Sequence, residues 1–413
     1  MSTQYQIRQL GAQGDGIANT ERGPVFIPFT LPGETVTAAV TKDRGDLIAI
    51  QEPAPNRVEP PCRHFGTCGG CQLQHIATPD YLDWKRNKLV QVLKSQRLEP
   101  DVGEILPCAP HSRRRVTFAV RKTDAGMLLG YNKHLSHEIV DIAECPISLP
   151  VIVEALDSLR ALARLSCSTS KPFRMTVTAT ASGLDVALLE SGELDDAARR
   201  TVADFAMRAG LARVSVDGEI VVEPVKPQVS MGPAVVNMPP GGFLQAVASA
   251  EVAMAELVLD HVGKAKRVAD LFAGSGAFSL RLAERAEVHA VEGDAAALVA
   301  LDRAFRFTPG LKRVTTEKRD LFERPLTTKE LDRFDAVVFD PPRAGADTLC
   351  KQLAKSQVPK VAAVSCNPLT LARDLATLTT GGYRITAVTP VDQFLWSSHV
   401  EAVALLEKPK KRR

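Results

Sequence analysis

From about residue 250 onward, short apolar runs alternate with helix-length amphipathic segments, and this pattern constrains the fold more than any other feature of the chain. EVAMAELVLDHV leads to RVADLF, then FSLRLAERA, VHAVE, AALVALDRAFRF, VTTEKRD, DAVVFD, TLCKQLAKS, KVAAVSC and TLARDLATLTT. ITAVTPV and HVEAVALLE close the series. Strands that alternate with helices need crossover connections. The pattern predicts an α/β, doubly wound Rossmann-like sheet with ligands at the carboxyl ends of its strands.

The preceding residues carry other patterns. Residues 4–54 read as short strands punctuated by Gly and Pro (YQIRQL, PVFIPF, TVTAAVTKD, DLIAIQEP), which suits a small antiparallel β-barrel. PAPNRVEPP resembles a linker, and residues 80–98 have helical periodicity. VTFAVRK, FRMTVTAT, LDVALLE and ARVSVD, mixed with two helices, indicate a central α+β domain. The expected layout is a barrel over 1–55, a central domain with the cysteines over 56–235, and a catalytic domain over 236–413. Helix 80–98 is free to dock on the last of these. At ~150 residues per domain, 413 residues suit three domains.

No apolar run approaches the ~18–20 residues of a membrane helix, and the N-terminus lacks a signal-peptide core. The expectation is a soluble cytoplasmic protein with reduced thiols, no membrane contact and no obligate protein partner. The net charge of +3 says little by itself. Residues 81–122, however, hold ten Lys or Arg against four acids, and the tail EKPKKRR adds a second cluster. Separated basic patches suit a polyanion such as RNA; solvated faces are the plainer alternative.

In DLFAGSGAF (270–278), a strand passes into a helix through Gly274 and Gly276, where the backbone can approach a ligand. Eighteen residues after Gly274, Glu292 ends the next strand, where a carboxylate can hold ribose hydroxyls. NAD and S-adenosylmethionine both fit. Ser279 stands where a dinucleotide fingerprint has its third glycine.

FDPPRAG (339–345) sends Asp340 from a strand tip into a rigid Pro-Pro turn, where its carboxylate can accept the N3–H of uracil. In VSCNP (364–368), Cys366 precedes a helix that starts at Pro368. A thiol there is expected to have a lowered pKa and to act as a nucleophile. Glu401 in HVEAVALLE is an acid in an apolar strand, and is either an exposed strand end or a general base. Cys62, Cys68 and Cys71 form a metal-type cluster, with Cys145, next to Pro146, as the best fourth ligand. Four thiolates suit zinc or an iron–sulfur cluster, and spacing does not choose. Cys108, Cys167 and Cys350 belong to no motif.

DLFAGSGAF, DPPRAG, SCNP and HVEAVALL, in this order, resemble the RNA uracil-C5 methyltransferase family, and the N-terminal part is similar to a TRAM domain, an OB-like barrel that grips RNA. The resemblance spans essentially the whole chain. It implies Cys366 as nucleophile and Glu401 as base, with Gln245, Phe272, Glu292, Asp320 and Asp340 at the S-adenosylmethionine site. It implies a 4Fe-4S cluster on Cys62, Cys68, Cys71 and Cys145. Two positions depart from the family: Val247 stands where FxQxN has its Asn, and Ala277 where an Asn often follows the GxG. Within the family, tRNA-specific enzymes generally lack both barrel and cluster, so 23S rRNA is the expected substrate and a tRNA T-loop uridine the alternative. From a different class, an NAD-dependent iron–sulfur oxidoreductase would use the GxG, Glu292 and the cysteines.

Overall fold

A computed structural model describes residues 2–409; Lys410–Arg413, the end of the basic tail, lie outside the described residues. Three large sheets carry most of the described residues, and a two-stranded hairpin makes a fourth. The first holds the six strands between Ser2 and Glu52, with Ile7, Val25, Ile27, Val36 and Ala38 turned inward. The second holds seven strands between Arg115 and Val222. Helices Leu156–Leu165 and Asp196–Arg208 share its core.

The third sheet positions the site. Its strands are β1 (Arg267–Leu271), β2 (Glu287–Glu292), β3 (Val314–Lys318), β4 (Ala336–Phe339), β5 (Lys360–Ser365), β6 (Arg384–Val391) and β7 (Glu401–Glu407), in the order β3-β2-β1-β4-β5-β7-β6. The first five are parallel. Strand β7 inserts antiparallel between β5 and β6. Its antiparallel run puts the start of β7 beside the end of β5, with Ala402 opposite Ser365. Glu401 and Cys366 are thereby brought to one rim. The interior strands are continuous apolar runs because helices cover both faces. Accordingly, Val337, Phe339, Val361 and Ala363 face one core, and Val338, Ala362 and Val364 the other.

Two details revise the expected layout. The boundary at 235/236 falls inside the strand Ala234–Asn237, whose hairpin with Gln228–Met231 shares a core with Leu280, Ala300 and Ala304 of the catalytic domain. Helix Thr78–Ser95, adjoining the cysteines, packs Leu89 and Leu93 into the core of the third sheet. It is the docking helix of the sequence pattern, but its basic side chains are not a free surface. Lys85 is fully buried, and Arg86 and Lys88 donate to the carbonyls of Val102, Gly103 and Ser398. Much of the 81–122 positive charge therefore holds the protein together.

Candidate active site

A cleft of about 670 Å³ opens at the carboxyl ends of the third sheet, and Gln245, Phe272, Glu292, Asp320, Asp340, Cys366 and Glu401 all line it. These residues lie far apart in sequence; the parallel strands gather them because each strand ends on the same edge.

On the β1 side, the chain turns sharply. Phe272 has φ +62, an unusual conformation for a side chain of its size, and its ring lies 5.4 Å from that of Phe322. At Gly276, φ is +100 and a Cβ would come within 3.0 Å of Leu301, so glycine is needed there. Glu292, at the end of β2, accepts from the amides of Gly274 (2.9 Å), Gly293 (2.7 Å) and Asp294 (2.9 Å). One carboxylate thus fixes the glycine turn beside it. Ser279, at the third-glycine position, donates to Asp270 at 2.6 Å. Asp320 accepts from the amide of Phe322 at 2.9 Å.

On the β4–β5–β7 side, polar groups form a chain. Gln245 donates to Asp340 (2.8 Å), and Gln393 donates both to Gln245 (2.9 Å) and to Glu401 (2.6 Å). Glu401 is 2% exposed, so it is not a solvated strand end. Burial and the nearby Asp340 carboxylate push its pKa up to about 8, while burial pushes Asp340 up to about 7.

Cys366 departs from expectation. Its thiol is pushed up to about 11, by burial and then by the Glu401 and Asp340 carboxylates, with Arg343 acting in the opposite direction. The helix terminus does not compensate. Pro368 has no N–H to offer, and Asn367 itself accepts from the Leu369 amide at 3.1 Å.

Val247 and Ala277 find other uses. Val247 precedes helix Ala248–Val262 without a side-chain cap, and the Ala277 carbonyl accepts from Arg281 at 2.5 Å. Arg114 and Arg281 both bind the buried Glu251, at 2.6 and 2.9 Å. That triad ties the central domain to the catalytic one directly under the cleft.

Comparison with known proteins gives the family. Residues 307–409 match the tRNA (Uracil-5-)-methyltransferase family model, and residues 6–46 match the TRAM domain. An RNA methyltransferase of Mesorhizobium japonicum is 62% identical over all of both chains. The 23S rRNA (uracil(1939)-C(5))-methyltransferase RlmD of Halomonas elongata is 34% identical, covering 98% of this chain and 90% of that one. The chain belongs to the RNA uracil-C5 methyltransferase family. The fold of this methyltransferase is also that of the Pyrococcus abyssi tRNA (uracil-54, C5)-methyltransferase, solved with S-adenosyl-L-homocysteine, at TM-score 0.77 and 24% identity, covering 98% and 99% of the two chains. Membership in this family replaces the oxidoreductase alternative.

A second cavity, of about 340 Å³, adjoins the methyltransferase cleft and is lined by Cys62, Cys68, Cys71 and Cys145. Arg113, Arg115, Arg343 and Phe394 face both cavities. Burial pushes the thiols of Cys62, Cys68 and Cys71 up. Among the described residues, no group of three or more His, Cys, Asp or Glu is arranged to grip one metal ion. No helix among them is long and apolar enough to cross a membrane.

Sequence reasoning missed Gln393, Arg114 and Glu251. An acid in the first turn of a helix rich in Ala, Val and Leu was the available signal for Glu251. Gln393 had none.

Proposed function

We propose that this methyltransferase transfers a methyl group from S-adenosylmethionine to C5 of a uridine in 23S rRNA, through a covalent bond between Cys366 and C6. The observation that carries the reading is the meeting of Cys366, Glu401 and Asp340 at three neighbouring strand ends in one cleft. The cofactor is held by Glu292, Asp320, Phe272 and Gln245, with the Gly274–Gly276 turn giving close backbone approach. Bound there, it supplies an electrophilic methyl group.

Uracil C5 is a weak nucleophile. Addition of the Cys366 thiolate to C6 moves the ring electrons toward C5 and O4, and C5 then takes the methyl as the methyl–sulfur bond breaks and a neutral thioether, S-adenosylhomocysteine, leaves. The adduct has a C5 proton that must leave before the thiol can. Glu401 takes that proton, the C5–C6 double bond re-forms, and the C6–S bond breaks. Asp340 accepts a hydrogen bond from the base and orients it. The uridine must leave its stack to reach the cleft.

The H. elongata relative supports 23S rRNA. The domain layout does not separate rRNA from tRNA, contrary to expectation, because the P. abyssi tRNA enzyme matches 98% of this chain, barrel included.

The thiol cavity fits a 4Fe-4S cluster on Cys62, Cys68, Cys71 and Cys145. Four thiols from two segments line one cavity; four thiolates suit zinc as well as an iron–sulfur cluster, and the family resemblance is what favours the cluster. Methyl transfer needs no electron, so the role assigned to the cluster is to brace the lobe beside the cleft.

The test uses unmodified RNA and methyl-labelled cofactor. Glu401→Gln should accumulate a denaturant-resistant protein–RNA band carrying the label, and Cys366→Ala should form none. A band with Cys366→Ala overturns the nucleophile; free methylated RNA at the wild-type rate from Glu401→Gln overturns the base. Mass mapping of the modified RNA decides between 23S rRNA and tRNA.

A further inference from the structure

Glu401 does not stand alone in the cleft. Its Oε2 accepts from the Gln393 amide at 2.6 Å, and the same nitrogen donates to Gln245 Oε1 at 2.9 Å. Gln245 in turn donates to Asp340 at 2.8 Å. Two amides therefore bridge two buried carboxylates. The bridge has one sense: a flipped Gln393 would set its own oxygen against two acceptors. Gln393 is 2% exposed and lies two residues beyond Val391, which pairs with Glu401 across β6 and β7. The other oxygen, Glu401 Oε1, is buried with no partner among the described residues.

We propose that Gln393 is a positioning residue for the base: its NH₂ group ties down one oxygen of Glu401, stabilises the carboxylate form, and leaves the other oxygen free to take the C5 proton. This rests on Glu401 being the base. A glutamate buried beside a second carboxylate favours its protonated, useless form. A donor locked against it opposes that tendency, and Gln393 is the donor the cleft provides.

The titratable groups nearest Glu401 are Asp340 on the β4 turn and Cys366 after β5. Arg343, Arg113 and Arg115 stand in the same cleft, and the Lys85–Asp392 pair is one residue from Gln393. None of the cations is hydrogen-bonded to Glu401, so removing Gln393 leaves its charge without a donor among the described residues. Loss of a donor to a carboxylate raises its pKa. At neutral pH less of the base is then ionised, and the lost rate returns as pH rises.

Gln393→Met removes both N–H donors at similar volume. The probe is unmodified total RNA from a strain lacking the protein, with methyl-labelled S-adenosylmethionine. The step read is decay of the methylated covalent adduct, from about pH 6 to about pH 10. Relative to wild type, the pH midpoint should move up by about one unit, with decay roughly ten-fold slower near neutrality and converging at the alkaline end. Adduct formation should persist. Gln393→Glu, which keeps the shape and places a third carboxylate there, should shift the midpoint further, and decides the matter alone if Gln393→Met does not fold. An equal slowing at every pH, or an unchanged profile, overturns the proposal. Release of free product by Glu401→Gln would instead overturn the base assignment beneath it.

Discussion

The catalytic cleft and the thiol cavity lie side by side and share four lining residues, yet they are built in opposite ways. The cleft rests on the ends of parallel strands. Its side chains are already bonded to one another, from Glu292 on the glycine turn to the chain Asp340–Gln245–Gln393–Glu401. The thiol cavity is built on turns. Cys62, Cys68 and Cys71 come from a segment with almost no regular structure, tied to its surroundings by a bridge between Cys68 and Lys133 and by a bond from the Ala143 amide to His64 at 3.0 Å. Its sulfurs take part in ordinary sulfur hydrogen bonds, such as Gly70 to Cys68 at 3.4 Å and Ser148 to Cys145 at 3.3 Å. A site on strand ends is held by the bonds among its own side chains, whereas the thiol site, built on turns, is the one whose shape would depend on the proposed cluster.

Removing one thiol from each region gives the largest contrast. Cys366→Ala should lower turnover by at least ~10³-fold, since a nucleophile is lost outright. Its thermal midpoint should stay near wild type, because the strand ends do not depend on that sulfur. Cys71→Ser should do the reverse: iron content falls and the thermal midpoint drops by several degrees, as expected when a bound group stabilises the folded form. Iron assay and calorimetry on anaerobically purified protein check both. A stoichiometric, colourless zinc protein would sink the cluster reading while preserving the contrast.

The next largest effect concerns RNA. The barrel cannot be deleted cleanly: Leu31 and Ala54 share a core with Leu73, Ile76, Tyr81 and Leu395. Its exposed cations Arg8, Arg22 and Lys42 can be changed singly. Replacing all three with Gln should weaken RNA binding and flatten its salt dependence by ~0.7–0.9 in log–log slope per lost phosphate contact. Cofactor affinity should not move, because the third sheet carries that site. An unchanged slope would place the RNA elsewhere.

The pH dependence separates the regions by a smaller margin. Glu401 is pushed up to about 8 and Cys366 to about 11, and in the proposed mechanism both must lose a proton to act. Turnover should therefore rise from pH 6 to beyond pH 8. Stability should run the other way. Asp340, Glu401 and Asp270 hold protons more tightly folded than unfolded, so the stabilisation present at acid pH is lost as pH climbs through about 7 to 8. Thermal melts that rise across that window would contradict the assignment.

Legibility in the sequence follows the same division. Strand alternation put Asp340 and Cys366 on one edge, because parallel strands end together, whereas Glu401 reaches that edge as the first residue of the antiparallel β7 and was pointed to by the family resemblance. Local spacing likewise gave Cys62, Cys68 and Cys71. What could not be read were contacts between distant segments whose residues carry no motif. Gln393 binds Gln245 across 148 positions, and Arg114 binds Glu251 across 137. The thiol pKa was misjudged for a related reason: helix position is local, whereas the burial that raises it, and the two carboxylates that add to it from β4 and β7, arise only in the folded protein. Part of the basic charge of 81–122 is internal, which local pattern cannot show because Lys85 meets its partner, Asp392, only in the folded protein, while Lys94, Arg97, Arg121 and Lys122 remain exposed.

That partner suggests the smallest and most discriminating change. Residues 392–399 border both regions: Gln393 holds Glu401, while the Trp396 carbonyl accepts from the amides of Gln72 (2.8 Å) and Leu73 (3.1 Å), next to Cys71. Tyr81 fastens this segment, donating to Asp392 at 2.8 Å and accepting from the Trp396 amide at 2.7 Å. Tyr81→Phe deletes one hydroxyl and both bonds, while Asp392 keeps Lys85. The cost should be ~1–3 kcal/mol, that of a buried hydrogen-bonding group left unpaired. If the segment is a common support, amide exchange should quicken together at 392–399 and at 68–73, turnover should fall a few-fold, and cofactor affinity, set at Glu292 and the glycine turn, should hold. Faster exchange on one side only would mean that the two cavities are neighbours without being coupled.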